Sequence, residues 1–214
     1  KEPTLTGDKV ETPKLDGAAI SLLYVGGKLS MALTRGDGKR GEDILEKARL
    51  LVPDEIYLKE PVQITGEVVA KKDIPNARNY AAGALNLKDL EEFKKRQLIF
   101  IAYGIQSHTD ASGFFSSYRK DMFELAQMKF DTVLDQNWEE YPQDGKVFRL
   151  NRNSDFDAAG FTSSHPRGAY ALKTRAEGVR TRLRGVVWQV GRTGAVSPVA
   201  QLDPVIICES TVSR

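Results

Sequence analysis

Gly26-Gly27 restricts the fold of this chain more than any other feature. The pair joins an apolar run, Ala18–Val25, to a second run rich in β-formers, Lys28–Arg35. Two glycines accept positive φ at both central turn positions, so the runs are expected to close as an antiparallel hairpin. After it, Gly36-Asp37-Gly38 reads as a turn, and residues 41–51 as a helix with Ile44, Leu45, Ala48 and Leu51 on one face, stopped by Pro53. A strand is expected over Val62–Ala70, loop over Asp73–Asn79 around Pro75, and a helix over Leu87–Gln97 with Asn86 as its N-cap. A further strand is expected over Leu98–Ile105 and a helix over Phe114–Met128. Lys146–Leu150, Ala169–Lys173, Gly185–Val190 and Ala195–Ala200 read as strands. The class is α+β. A boundary is expected near Arg175–Thr181, and the stretch beyond it is too short to bury a core alone.

Composition removes several alternatives. The 31 Lys+Arg against 29 Asp+Glu leave a net charge of +2, too balanced for a tail-driven nucleic-acid binder. One cysteine, Cys208, rules out an internal disulfide framework and any multi-cysteine zinc site, and His108 and His165 are too few for a histidine-rich metal centre. These three keep an ordinary structural reading. No run approaches the ~20 apolar residues of a membrane span, and Lys1–Val10 carries no signal-peptide core. A globular protein of the cytoplasm is expected, either an enzyme or a binder.

Chemistry enters at Lys14-Leu15-Asp16-Gly17. A lysine amine is a nucleophile only when neutral, a form that desolvation and nearby cations favour. Asp16 is placed to orient such an amine, and Gly17 permits close backbone approach. Four residues alone match by chance, but other segments follow in order. They are Thr34-Arg35-Gly36-Asp37-Gly38, Gly66-Glu67-Val68, Arg78-Asn79-Tyr80-Ala81-Ala82-Gly83, Phe100-Ile101-Ala102-Tyr103-Gly104, Asp144-Gly145-Lys146-Val147-Phe148-Arg149, Tyr170-Ala171-Leu172-Lys173 and Gln189-Val190-Gly191-Arg192-Thr193-Gly194.

From Pro13 to Arg214 this series resembles the NAD-dependent, bacterial-type DNA ligases. The T-R-G-D-G, R-N-x-x-A-G and Q-V-G-R-T-G segments separate that family from ATP-dependent ligases and capping enzymes. The resemblance implies a nucleotidyltransferase (ligase and capping-enzyme) fold of antiparallel sheets flanked by helices over residues 1–178. A partial OB-fold β-barrel is implied over 179–214. It implies that Lys14 takes AMP from NAD, with Arg35 and Lys173 neutralising phosphoryl charge. Glu67 would meet the ribose, Tyr103 would stack on adenine, and Arg149 would belong to the same nucleotide site. Arg78 would hold the AMP or the nick phosphate, Asn79 would face the nick phosphate and Arg192 a DNA phosphate. Mg2+ is implied near Glu67 and Asp144, held largely through water.

The implied partner is nicked double-stranded DNA, with no membrane, and a monomer is expected. Two other readings remain open: an ATP-dependent polynucleotide ligase and a non-catalytic nucleic-acid-binding relative.

Several departures from the family pattern stand out. Thr12 occupies the position where the family has a glutamate that reads adenine, so either backbone groups read the base or the chain shifts to bring in Glu11. Arg149 stands where a lysine is usual, keeping the charge but gaining a planar fork. The Glu67–Arg78 and Gln106–Gln143 stretches are shorter than usual, which suggests a minimised enzyme of a bacterium or a virus that infects one. Only 13 residues precede Lys14, leaving no room for the family's nicotinamide-mononucleotide domain. The 214 residues are therefore expected to be a fragment that binds adenosine nucleotide but reacts poorly with NAD.

Overall fold

The structure is a computed structural model and describes residues 5–35, 41–107, 113–163, 165–174, 178–207 and 210–214. The expected turn at 36–38, His108, Cys208 and part of the expected boundary (175–177) lie outside the described residues. The chain divides into two compact units, Lys1–Thr174 and Arg175–Arg214.

The first unit opens with strand β1 (Lys9–Leu15), which has no apolar run to announce it. Strands β2 (Ala18–Val25) and β3 (Lys28–Thr34) make the expected hairpin, with Gly26 and Gly27 at φ of 61° and 83°. The helix expected over 41–51 contracts to α1 (Leu45–Ala48). Asp43 bridges Leu33, and the Thr34 N–H donates to the Glu42 carbonyl, so the residues before α1 lie along β3 instead.

Strand β4 (Val62–Val69) is followed by helix α2 (Ala77–Leu85), which begins inside the segment expected to be loop. Asn76, in the left-handed conformation at φ 51°, turns the chain into it. Asn86 closes α2 rather than opening the next helix, α3 (Leu90–Lys94), whose N-cap is Asp89 accepting the Glu91 N–H at 2.8 Å. Strand β5 (Ile99–Ser107) precedes helix α4 (Tyr118–Gln127), which Ser117 caps by accepting the Lys120 N–H, leaving Phe114 and Phe115 ahead of the helix. A short β6 (Asp131–Thr132), β7 (Gln143–Leu150), α5 (Asn153–Ala159) and β8 (Ala169–Lys173) complete the unit.

Two sheets result. One has five strands in the order β3-β2-β4-β5-β6, antiparallel except for the β5–β6 pair. The other has the order β1-β7-β8 and is antiparallel throughout. Alternation along β2 and β4 sends Ile20, Leu22, Tyr24, Val62, Ile64 and Val68 into the core with Leu85, Phe93, Met122 and Leu125 from the helices. Helix α2 packs on β4, α4 on β5 and α5 on β7.

The second unit contains two antiparallel pairs, β9 (Leu183–Val190) with β10 (Val196–Leu202) and β11 (Val205–Ile207) with β12 (Ser210–Val212). Its apolar side chains are largely exposed, Trp188 and Val190 among them, and its described residues form no closed barrel. The α+β class stands; the barrel does not emerge from these strands. No helix among the described residues is long and apolar enough to cross a membrane.

Candidate active site

The tetrapeptide Lys14-Leu15-Asp16-Gly17 carries the chain from the three-stranded sheet into the five-stranded one. Lys14 therefore lies in strand β1, not ahead of one. It is opposite Gly145 of β7, which is opposite Lys173 of β8. Cross-strand partners project to the same face, so two lysines flank one glycine. A Cβ at Gly145 would lie 2.0 Å from the Leu172 carbonyl oxygen, which is why a glycine stands there.

Asp144 is the extra residue of a β-bulge, because Lys14 pairs with Gly145 while Leu15 pairs with Gln143. The bulge turns its carboxylate toward the lysines. Oδ1 lies 2.7 Å from Lys14 Nζ, and Oδ2 lies 3.9 Å from Lys173 Nζ. One carboxylate is shared by two ammonium groups. The Lys14 and Asp144 side chains are 28% and 33% exposed, whereas Lys173 is 72% exposed.

At the other end of the tetrapeptide, the Gly17 N–H donates to Glu67 Oε1 at 3.2 Å. A Cβ on Gly17 would stand 2.2 Å from the Val68 carbonyl oxygen, so this approach also demands glycine. Asp16, expected to orient the Lys14 amine, pairs instead with Arg78, whose Nε is 3.2 Å from its Oδ1. The contact expected of Asp16 is made by Asp144. The reason is that Asp16 has left the strand, its N–H bonding the Pro142 carbonyl.

Glu67, paired with Ala19 of β2 and Ile101 of β5, is half-buried. Burial pushes its carboxyl up to about 7, opposed by the Gly17 N–H and the charges of Lys14 and Arg35, and assisted by Asp16. Tyr103 is the extra residue of a second bulge, between the Thr65–Gly104 and Gly66–Ala102 pairs. Burial, and then the Glu67 charge, push its phenol up to about 12 against the pull of Arg35. Arg35 is tethered by its N–H to the Ala19 carbonyl at 3.0 Å. Lys14, Asp16, Arg35, Glu67 and Tyr103 thus share one electrostatic neighbourhood. Arg78 and Asn79, both exposed, open helix α2 beside Asp16.

Other expected residues are placed differently. Arg149 shares the Lys14 face of the sheet but at its far end, opposite Val10. Its guanidinium donates to the Leu150 carbonyl and Asn153 Oδ1, each at 2.9 Å, and stacks over Tyr118 and Phe156. Glu11 does not swing in. Strand β1 keeps register from Lys9 to Lys14, so Thr12 is buried on the Lys14 face while Glu11 pairs with Lys146 on the other. Arg192 lies in the exposed turn between β9 and β10, not on a strand. Sequence reasoning gave no separate role to Gly145 or to Tyr118. A hydroxyl on an otherwise apolar helix face was the only signal for the second.

A sequence profile of the NAD-dependent DNA ligase adenylation domain matches residues 6–139, which includes Lys14, Arg35, Glu67 and Tyr103. The chain belongs to the NAD-dependent DNA ligase family. A profile of that family's OB-fold domain matches residues 180–214. The chain is 35% identical to the DNA ligase of Chlorobium chlorochromatii, over 94% of this chain and 35% of that protein. It is 37% identical to the DNA ligase of Persephonella marina, with the same coverage, and 35% identical to that of Campylobacter concisus over 92% of this chain and 36% of that protein. It spans about a third of the length of these relatives. In this ligase-family chain Asp144 and Lys173 fall between the two matched stretches, and strand pairing is what brings them to Lys14.

Proposed function

We propose that this chain carries the adenylation centre of an NAD-dependent DNA ligase, with adenylation domain 1–178 and the first part of an OB-fold barrel in 179–214. Lys14 attacks the α-phosphorus of NAD, expels nicotinamide mononucleotide and holds AMP as a phosphoramidate. AMP then passes to the 5′-phosphate of a nick in duplex DNA and is displaced by the 3′-hydroxyl. The observation that carries this reading is the Asp144 carboxylate held between Lys14 and Lys173, with Glu67 two residue steps beyond Leu15 through the Gly17 N–H.

The division of labour follows from the geometry. The amine must surrender its proton to attack, and Asp144 Oδ1 is within hydrogen-bond reach to hold it. Arg35 and Lys173 are cations for the charge of the transferring phosphoryl group. Glu67 is the acceptor for a ribose hydroxyl and the Tyr103 ring the platform for adenine. Arg78 and Asn79 take the nick phosphate on the exposed side, and Arg192 meets DNA backbone from the second unit. With Glu11 engaged by Lys146, backbone groups are left to read the adenine edge.

No three His, Cys, Asp or Glu among the described residues gather into a metal cage. Glu67 and Asp144 would be the carboxylates to hold a Mg2+ ion that keeps most of its water, and such an ion would offset phosphate charge.

Intact-mass measurement after prolonged incubation with NAD, and separately with ATP, tests the proposal. Slow accumulation of one AMP on Lys14 from NAD, none from ATP and none in Lys14→Ala is expected. An adduct that survives Lys14→Ala, or one formed from ATP alone, would overturn it.

A further inference from the structure

Tyr103 is a bulge residue, with no single partner on β4, so ladder register alone does not fix where its ring points. Its carbonyl accepts a 2.8 Å hydrogen bond from the hydroxyl of Tyr118, the first residue of α4. Tyr118 is itself buried, at 6% exposure. The Arg149 guanidinium lies 4.6 Å from the Tyr118 ring centre and 4.1 Å from that of Phe156.

Arg149 is fixed in turn by Asn153, whose amide donates to Asp121 Oδ2 at 2.8 Å and to the Phe115 carbonyl at 2.7 Å. Asp121 Oδ1 accepts the Phe115 and Phe114 N–H groups at 2.7 and 3.2 Å. Among the described residues no buried side-chain polar atom lacks a partner. Such a network resists displacement, because moving one member strands another buried donor or acceptor.

We propose that Tyr118 is a positioning residue for nucleotide recognition: braced by Arg149, it holds the Tyr103 bulge and so sets the ring that receives adenine. The proposal rests on the reading of Tyr103 as the adenine platform. It also accounts for arginine at 149. The fork makes two hydrogen bonds and a stack between two rings, which a lysine ammonium cannot reproduce.

Titration calorimetry of AMP into the 214-residue chain tests it, with unfolding midpoints measured alongside. Tyr118→Phe keeps the ring under Arg149 and removes only the hydroxyl. It is expected to raise the AMP Kd about five-fold, the scale of one net hydrogen bond. Arg149→Lys should raise it about two- to three-fold by loosening the brace. Tyr103→Ala should raise it by about ten-fold, and adding Tyr118→Phe to that variant should change it by less than about two-fold. An unchanged Kd in Tyr118→Phe, or an equal loss with and without the Tyr103 ring, overturns the proposal. A Kd indifferent to Tyr103→Ala removes the platform reading on which it rests. Absence of AMP binding by the parent chain counts against the adenylation centre itself.

Discussion

The two sheets of the first unit hold their candidate site residues by different forces. The five-stranded sheet buries one apolar face completely, through Ile20, Leu22, Val62 and Ile64, and presents Glu67 from alternate positions of the same strands. Its geometry is set by the hydrophobic effect. The three-stranded sheet is thinner, and β8 has no buried residue at all. There the Lys14, Asp144 and Lys173 side chains are held by attraction to one another. The sheet that presents Glu67 is thus fixed by burial, while the Lys14, Asp144 and Lys173 charges are fixed by partly solvated ion pairs that salt and substitution can reach.

The sharpest way to break this contrast is Gly145→Ala. The added methyl meets the Leu172 carbonyl, so β7 and β8 must separate. A loss of about 1–3 kcal/mol is expected in urea unfolding, together with loss of AMP transfer to Lys14 measured by intact mass. Unaltered adenylation would mean that the three-stranded sheet does not set the reactive geometry.

Asp144→Asn should act more narrowly. Its ion pairs are partly exposed, so stability should change by less than about 1 kcal/mol. Adenylation should still fall at least about ten-fold, since the lysines lose their common partner. Lys146→Ala, which removes the Glu11 pair on the opposite face, should leave adenylation untouched.

Glu67→Gln probes the buried sheet. The folded chain keeps the Glu67 proton up to about 7, whereas the unfolded carboxyl releases it near its ordinary value of 4.5. The stabilisation is therefore full below the unfolded value, declines as pH rises between the two, and is lost above the folded value. Glu67→Gln should flatten that decline, and its stability relative to the parent should be most favourable above pH ~7. Parallel slopes in urea unfolding between pH 5 and 8 would show that Glu67 is not the group responsible.

Local signals were legible in proportion to how local their causes were. The Gly26-Gly27 hairpin depends on two residues and was plain. The ordered motifs located Lys14, Arg35, Glu67 and Tyr103, which the structure gathers around one junction. Strand β1 was not visible, because Glu11, Thr12 and Lys14 break its apolar pattern and its pairing partner lies more than a hundred residues away. The same distance hid the exchange of Asp16 for Asp144 at the lysine amine, since a bulge exists only once two strands are paired. Helix α2 escaped notice because Pro75 and its polar neighbours read as loop, while one left-handed asparagine starts the helix. Arg149 carries the right charge in the right motif, yet its rings and amide come from α4 and α5.

The tetrapeptide crossing between the sheets leaves the backbone of Lys14 almost no freedom of its own. Lys14 is clamped by Gly145 on one side and, three residues later, Gly17 is clamped against Val68 on the other. The reach from the Lys14 amine to the Glu67 carboxylate is consequently set by three residues of chain and one hydrogen bond rather than by a docking equilibrium. Lengthening it by one residue would turn the lysine toward the back of its strand or pull the carboxylate's backbone donor away.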